Sequence, residues 1–171
     1  MKPIKPYLYL YRVIQILAVV LVISGFVSCD SPYLAHEYED LPKSVWYYDS
    51  AATFKFQIKQ TKTPYNLYYR IRNTRDYPFY NLYVKTELVD EEGNIVRKKQ
   101  HEVNLLHPKD GTPLGNGESL YDHEVLLFPD LSFAEKGKYQ FRIKQYMRLD
   151  SLEGVNAVGF SLIPATKEVE E

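Results

Sequence analysis

The 171-residue chain carries 21 Lys and Arg against 22 Asp and Glu, a formal net charge of −1, which excludes a polybasic nucleic-acid binder and an acidic solvating tail. Apolar residues make up 45% of it and aromatics 15%, with 16 Tyr, too apolar for disorder and enough for one packed core. A single cysteine excludes an intrachain disulfide and a cysteine-based zinc site.

The chain opens on a targeting signal. Residues 1–28 hold Lys2, Lys5 and Arg12 and no acid; without them the chain carries 18 basic against 22 acidic groups. Val13 to Ile23 reads V-I-Q-I-L-A-V-V-L-V-I, and the apolar stretch to Val27 has 15 residues. A membrane span needs ~20, so the segment reads as a cleaved export signal. The only cysteine, Cys29, follows directly behind the small Ser28. That placement resembles a bacterial lipobox, in which the thiol is acylated and becomes the new N-terminus. Residues 29–43, with Pro32, Pro42 and several charges, are then expected to be a tether.

The body reads as strands. Thr53 to Gln60 alternates Phe54, Phe56 and Ile58 with Lys55, Gln57 and Lys59, the period of a half-buried strand. Asn66 to Asn73 alternates Leu67, Tyr69 and Ile71 with Tyr68, Arg70 and Arg72. After the turn Asp76-Tyr77-Pro78, Phe79 to Val89 and Ile95 to Val103 form a hairpin over D-E-E-G-N. Pro108 to Gly117 is a loop, and Gly115-Asn116-Gly117 within it is a turn that needs positive φ. Leu120 to Phe128, Lys138 to Met147 and Val155 to Ile163 supply three more strands. Leu149 to Glu153 is read as one helical turn, and residues 165–171 as a frayed tail. Seven or eight short strands at this spacing predict an all-β domain over 44–164. The expected architecture is a two-sheet antiparallel β-sandwich of jelly-roll or Ig-like type.

Candidate chemistry is thin. His36, His101, His107 and His123 show no metal-ligand spacing, and His101 reads as a solvated histidine on a charged strand. Asp122-His123 could orient a general base, but no nucleophile elbow or reactive cysteine accompanies it. Gly115 to Gly117 is followed by no G-K-S/T and is not a phosphate loop. The unusual feature is Tyr65, Tyr68, Tyr69, Tyr77, Phe79, Tyr80 and Tyr83, with Arg70, Arg72 and Arg75 interleaved. Three readings stay open: a Tyr-rich core, a protein interface, or a platform for glycan rings. The residues assigned to a contact surface are Tyr68, Arg70, Arg72, Tyr80, Tyr83 and Asp122.

Three segments carry a family resemblance: Tyr65 to Val84 (Y-N-L-Y-Y-R-I-R-N-T-R-D-Y-P-F-Y-N-L-Y-V), Pro113 to His123 (P-L-G-N-G-E-S-L-Y-D-H), and Gly137 to Leu162 with its Y-M-R-L-D-S-L-E-G-V-N-A-V-G-F. Together with Val45-Trp46-Tyr47 they resemble the gliding motility lipoprotein family GldH, over Ser44 to Ile163. The resemblance implies a cell-envelope lipoprotein that supports gliding and the linked type IX secretion machinery. It implies no catalytic residue, cofactor or metal, and only the lipid-bearing Cys29 carries over as a functional residue. The expected partners are the membrane, through the N-terminal lipid, and other gliding or secretion envelope proteins, with no nucleic acid or small-molecule substrate. The expected place is the cell envelope, at the outer membrane or a periplasmic face. The alternative is a glycan-binding β-sandwich lipoprotein.

Overall fold

The computed structural model describes Gln15 and residues 33–165. The rest of the predicted signal, Cys29 and the tail from Thr166 lie outside the described residues. Among the described residues ten strands run in chain order: β1 Ala35–Asp40, β2 Val45–Tyr47, β3 Ala52–Ile58, β4 Tyr65–Thr74, β5 Asn81–Val89, β6 Ile95–Asn104, β7 Leu120–Leu131, β8 Gly137–Gln145, β9 Ser151–Glu153 and β10 Val155–Pro164. They pair into one sheet of order β1-β10-β4-β7, a second of order β3-β8-β5-β6, and a ribbon β2-β9. All pairs are antiparallel. The all-β sandwich is as the alternation predicts.

The two large sheets face each other through the buried apolar residues of their inner strands and of β3 and β7, while the edge strands β1 and β6 bury none. On β3 the buried positions are Ala52, Phe54, Phe56 and Ile58; on β4 they are Tyr65, Leu67, Tyr69, Ile71 and Asn73. Phe160 of β10 sits at the centre, with ring centroids 5.1 Å from Phe54, 5.5 Å from Phe56 and 5.8 Å from Phe141. Such offset aromatic pairs add to the area they bury. One end is closed by the ribbon. Trp46 and Leu152 are fully buried there, and the Trp46 indole donates to the Ser50 carbonyl at 3.0 Å.

Two polar ties cross between sheets. Tyr69, fully buried on β4, meets His101 Nδ1 of β6 at 2.7 Å. Lys99 of β6 donates to the Leu127 carbonyl of β7 at 3.3 Å. His101 is therefore half-buried and engaged, not solvated, because its strand turns it toward the other sheet.

Three differences from the sequence reading have physical causes. Residues 35–40 are not tether but strand β1, paired with β10 from Ala35↔Leu162 to Asp40↔Ala157. The strand is held by its backbone ladder, which needs no apolar pattern. Leu149 to Glu153 is no helical turn: Ser151–Glu153 pairs with β2, so that Leu152 packs inward beside Trp46. Gly154 then takes φ +82°, with a would-be Cβ only 2.6 Å from Tyr77 Cα, so only glycine fits the turn into β10. In the predicted Gly115-Asn116-Gly117 turn, only Gly117 adopts positive φ, at +139°. Gly115 is instead required by a close approach to the His123 ring, 2.6 Å from its would-be Cβ.

Candidate functional site

The outward half of β4 builds the candidate surface. Alternation that buries Leu67, Tyr69 and Ile71 turns Tyr68, Arg70 and Arg72 to the outer face of the first sheet. Register then decides their company. On β7, Leu126 lies opposite Tyr68, Glu124 opposite Arg70 and Asp122 opposite Arg72. On the other side, β10 presents Ser161, Gly159 and Ala157 in the same rows. One strand further, β1 presents His36, Tyr38 and Asp40.

These residues form a connected lattice. Arg72 clasps Asp122 with two bonds, Nε to Oδ1 at 2.9 Å and Nη2 to Oδ2 at 3.3 Å. Arg70 forms an ion pair with Glu124 and donates to Tyr33 and Tyr38 hydroxyls at 3.3 and 3.4 Å. Its Nε reaches Ser161 Oγ at 3.4 Å. The Tyr38 ring bridges both arginines, 4.9 Å from the Arg72 guanidinium carbon and 6.0 Å from that of Arg70. Its hydroxyl lies 3.3 Å from Asp122 Oδ1. Gly159 makes room for that ring: a Cβ there would sit 2.8 Å from Tyr38 Cδ1 and 2.6 Å from the Glu37 carbonyl. Cation–π and bidentate contacts of this kind fix arginine planes at low conformational cost.

Four of the six predicted contact residues, Tyr68, Arg70, Arg72 and Asp122, share this face. Tyr80 does not: it lies in the β4–β5 connection and is 48% exposed. Tyr83 does not either, since the chain changes sheets after β4 and Tyr83 lies opposite Glu102 on the outer face of the second sheet. Of the remaining aromatic cluster, Tyr65, Tyr69 and Tyr77 are core. The sequence reading missed Tyr33, His36, Tyr38, Gly159 and Glu124. The first three fell in a segment without apolar alternation, and the last two were tied to Arg70 only by pairing.

Asp122 and His123 do not form a catalytic pair. Adjacent residues of a strand face opposite sides, so Asp122 points out to Arg72 while His123 points in. Asn73 Nδ2 donates to the Thr74 carbonyl at 2.9 Å, leaving its Oδ1 to accept from His123 Nε2 at 2.8 Å. Among the described residues no three His, Cys, Asp or Glu side chains converge as a metal site.

Three histidines sit below the ordinary value of 6.5. Burial lowers His123 against a small opposing pull from Asp122, burial and then Lys99 lower His101, and burial and then Arg70 lower His36. As pH falls through 6.5 the unfolded chain takes up protons that the folded chain resists, so stability drops with acidification. We expect a lower urea midpoint near pH ~5.5 than near pH ~7.5, and a flatter dependence in His123→Gln. Equal midpoints at the two pH values would contradict these assignments.

Comparison with known proteins gives the family. The profile described as GldH lipoprotein matches residues 33–162, starting where the described domain starts. The gliding motility lipoprotein GldH of Flavobacterium johnsoniae is 32% identical over 143 residues, covering 79% of this chain and 87% of that protein. A GldH homolog of Christiangramia forsetii is 31% identical over 145 residues, covering 80% and 87%. Among solved structures, a GH115 4-O-methyl-α-glucuronidase overlaps 81% of this chain and 18% of its own at a TM-score of 0.39 and 15% identity; a likeness at that level carries no argument. The extent and identity of the sequence match place this chain in the GldH lipoprotein family.

Proposed function

We propose that the protein is a lipid-anchored, non-catalytic component of the cell envelope that supports gliding motility and the type IX secretion machinery linked to it. It acts by contact with other envelope proteins. Cys29 carries the lipid, and residues 1–28 are the signal removed when it is attached. The outer face of the first sheet, around Tyr68, Arg70, Arg72 and Asp122, is the contact surface.

The observation that carries this reading is the lattice itself. Tyrosine and arginine are the residue types that anchor interfaces, and here they are held in place before any partner arrives, which lowers the entropy lost on docking. The arginines stay charged at any physiological pH; the hydrogen bond to Asp122 raises Arg72 further. The Ser161 hydroxyl on this face accepts from Arg70 Nε, and the buried His123 points the other way.

Colony spreading and secretion in a deletion strain test the reading. Wild type is expected to restore both. Cys29→Ala, which cannot be acylated, is expected to restore neither, although its level is normal. Full restoration by Cys29→Ala would show that the lipid is dispensable and would overturn the anchored reading.

A further inference from the structure

The two outer faces of the sandwich differ in charge. On the first sheet the arginines are answered, Arg70 by Glu124 and Arg72 by Asp122. On the second sheet, the alternation that buries Phe54, Phe141 and Val84 turns Lys55, Lys85, Lys98, Lys138, Arg142 and Lys144 outward. Glu87 and Glu102 are the carboxylates in the same rows. Of the six cations only Lys138 has a carboxylate within ion-pair distance among the described residues, Glu91 at 3.2 Å.

The centre of this face is built against ordinary sheet chemistry. Lys85 and Lys144 are direct cross-strand partners, an arrangement that like charges disfavour. Rings stabilise it instead of acids. Lys85 Nζ lies 3.5 Å from the Tyr146 centroid and Lys144 Nζ 5.1 Å from that of Tyr48. The two rings stack at 6.4 Å. Between the strands, Lys85, Arg142 and Lys144 line a shallow pocket of about 370 Å³, with Glu87 on its wall.

We propose that this face lies against a bilayer surface carrying anionic phospholipid headgroups. The inference rests on the lipid proposed at Cys29. Charge complementarity points to that surface: a sheet face with five cations outside ion-pair distance of any described carboxylate matches a plane of phosphates, and phenol rings suit the polar edge of a membrane. A lipid at Cys29 brings the domain to the bilayer, where cations within about a Debye length of ~10 Å feel the surface potential. The first sheet, with its arginines already paired, then faces away toward protein partners.

The test reconstitutes the full-length lipidated protein into vesicles of phosphatidylcholine alone, or with phosphatidylglycerol at roughly one part in three. Flotation with the neutral vesicles reports the anchor by itself. Acetylation of lysines, read by mass spectrometry, reports the face. Lys55, Lys85 and Lys144 are expected to react roughly five-fold more slowly on the anionic vesicles at low salt, the equivalent of ~1 kcal/mol, and to recover at high salt. Lys109, in the loop between β6 and β7, is expected to react alike on both. In the double variant Lys85→Glu/Lys144→Glu, protection of Lys55 is expected to vanish while flotation persists. Equal rates on the two vesicles with flotation intact would overturn the proposal, as would protection that appears only when envelope proteins are added. Loss of flotation from neutral vesicles would overturn the anchor, a separate failure.

Discussion

Deleting residues 35–40 is expected to unfold the protein, not to shorten a leash. The segment A-H-E-Y-E-D reads as polar linker, yet its six residues are each in register with β10. A ladder hydrogen bond contributes ~1 kcal/mol net, and the Leu41 side chain that follows is buried in the core cluster. The deletion also removes Tyr38 from Gly159 and from both arginines. Its total cost is on the order of 5 kcal/mol, a large part of the ~5–15 kcal/mol that holds a domain together. It would leave β10 as a bare edge, open to pairing with other chains. Deleting residues 30–32 instead is expected to leave folding unchanged. Protease resistance and thermal unfolding of the two variants check this, and a cooperative, near-normal transition in the 35–40 deletion would contradict it.

The strands that bury one face were legible because burial imposes a period. Phe54-Lys55-Phe56 and Leu67-Tyr68-Tyr69 show it in the sequence, and the structure turns Phe54, Phe56, Leu67 and Tyr69 inward. β1 was illegible because it lies at a sheet edge. Glu37 and Glu39 fall on its inner side but beyond the core, and both are exposed, so the small Ala35 alone marks that side as apolar. β2 and β9 have three residues each, too few for a period to show.

The candidate surface was half legible. Tyr68, Arg70 and Arg72 share a parity, so their common face could be read directly. Asp122 lies fifty residues from Arg72, and only register brings it opposite. Tyr83 has no such tie, because the chain passes to the other sheet before reaching it. Parity also excludes a shared Asp122-His123 site, since neighbours on a strand point to opposite faces.

Arg72→Glu is expected to abolish function while leaving a folded protein. The Arg72–Asp122 pair is partly exposed, with side chains 31% and 39% accessible. Such pairs contribute ~0.5–1 kcal/mol, and two facing carboxylates cost about as much again. The loss of ~1–2 kcal/mol leaves a domain of typical stability folded. The contact surface fares differently. The substitution sets a second carboxylate against Asp122 and frees the Tyr38 ring that leaned on the guanidinium. The most direct measurement is colony spreading of the deletion strain carrying Arg72→Glu, with the protein level read from the same cells. Loss of spreading at a normal protein level is the result expected of a component that works through this face. Normal spreading, or a loss that always follows the loss of the protein itself, would contradict it.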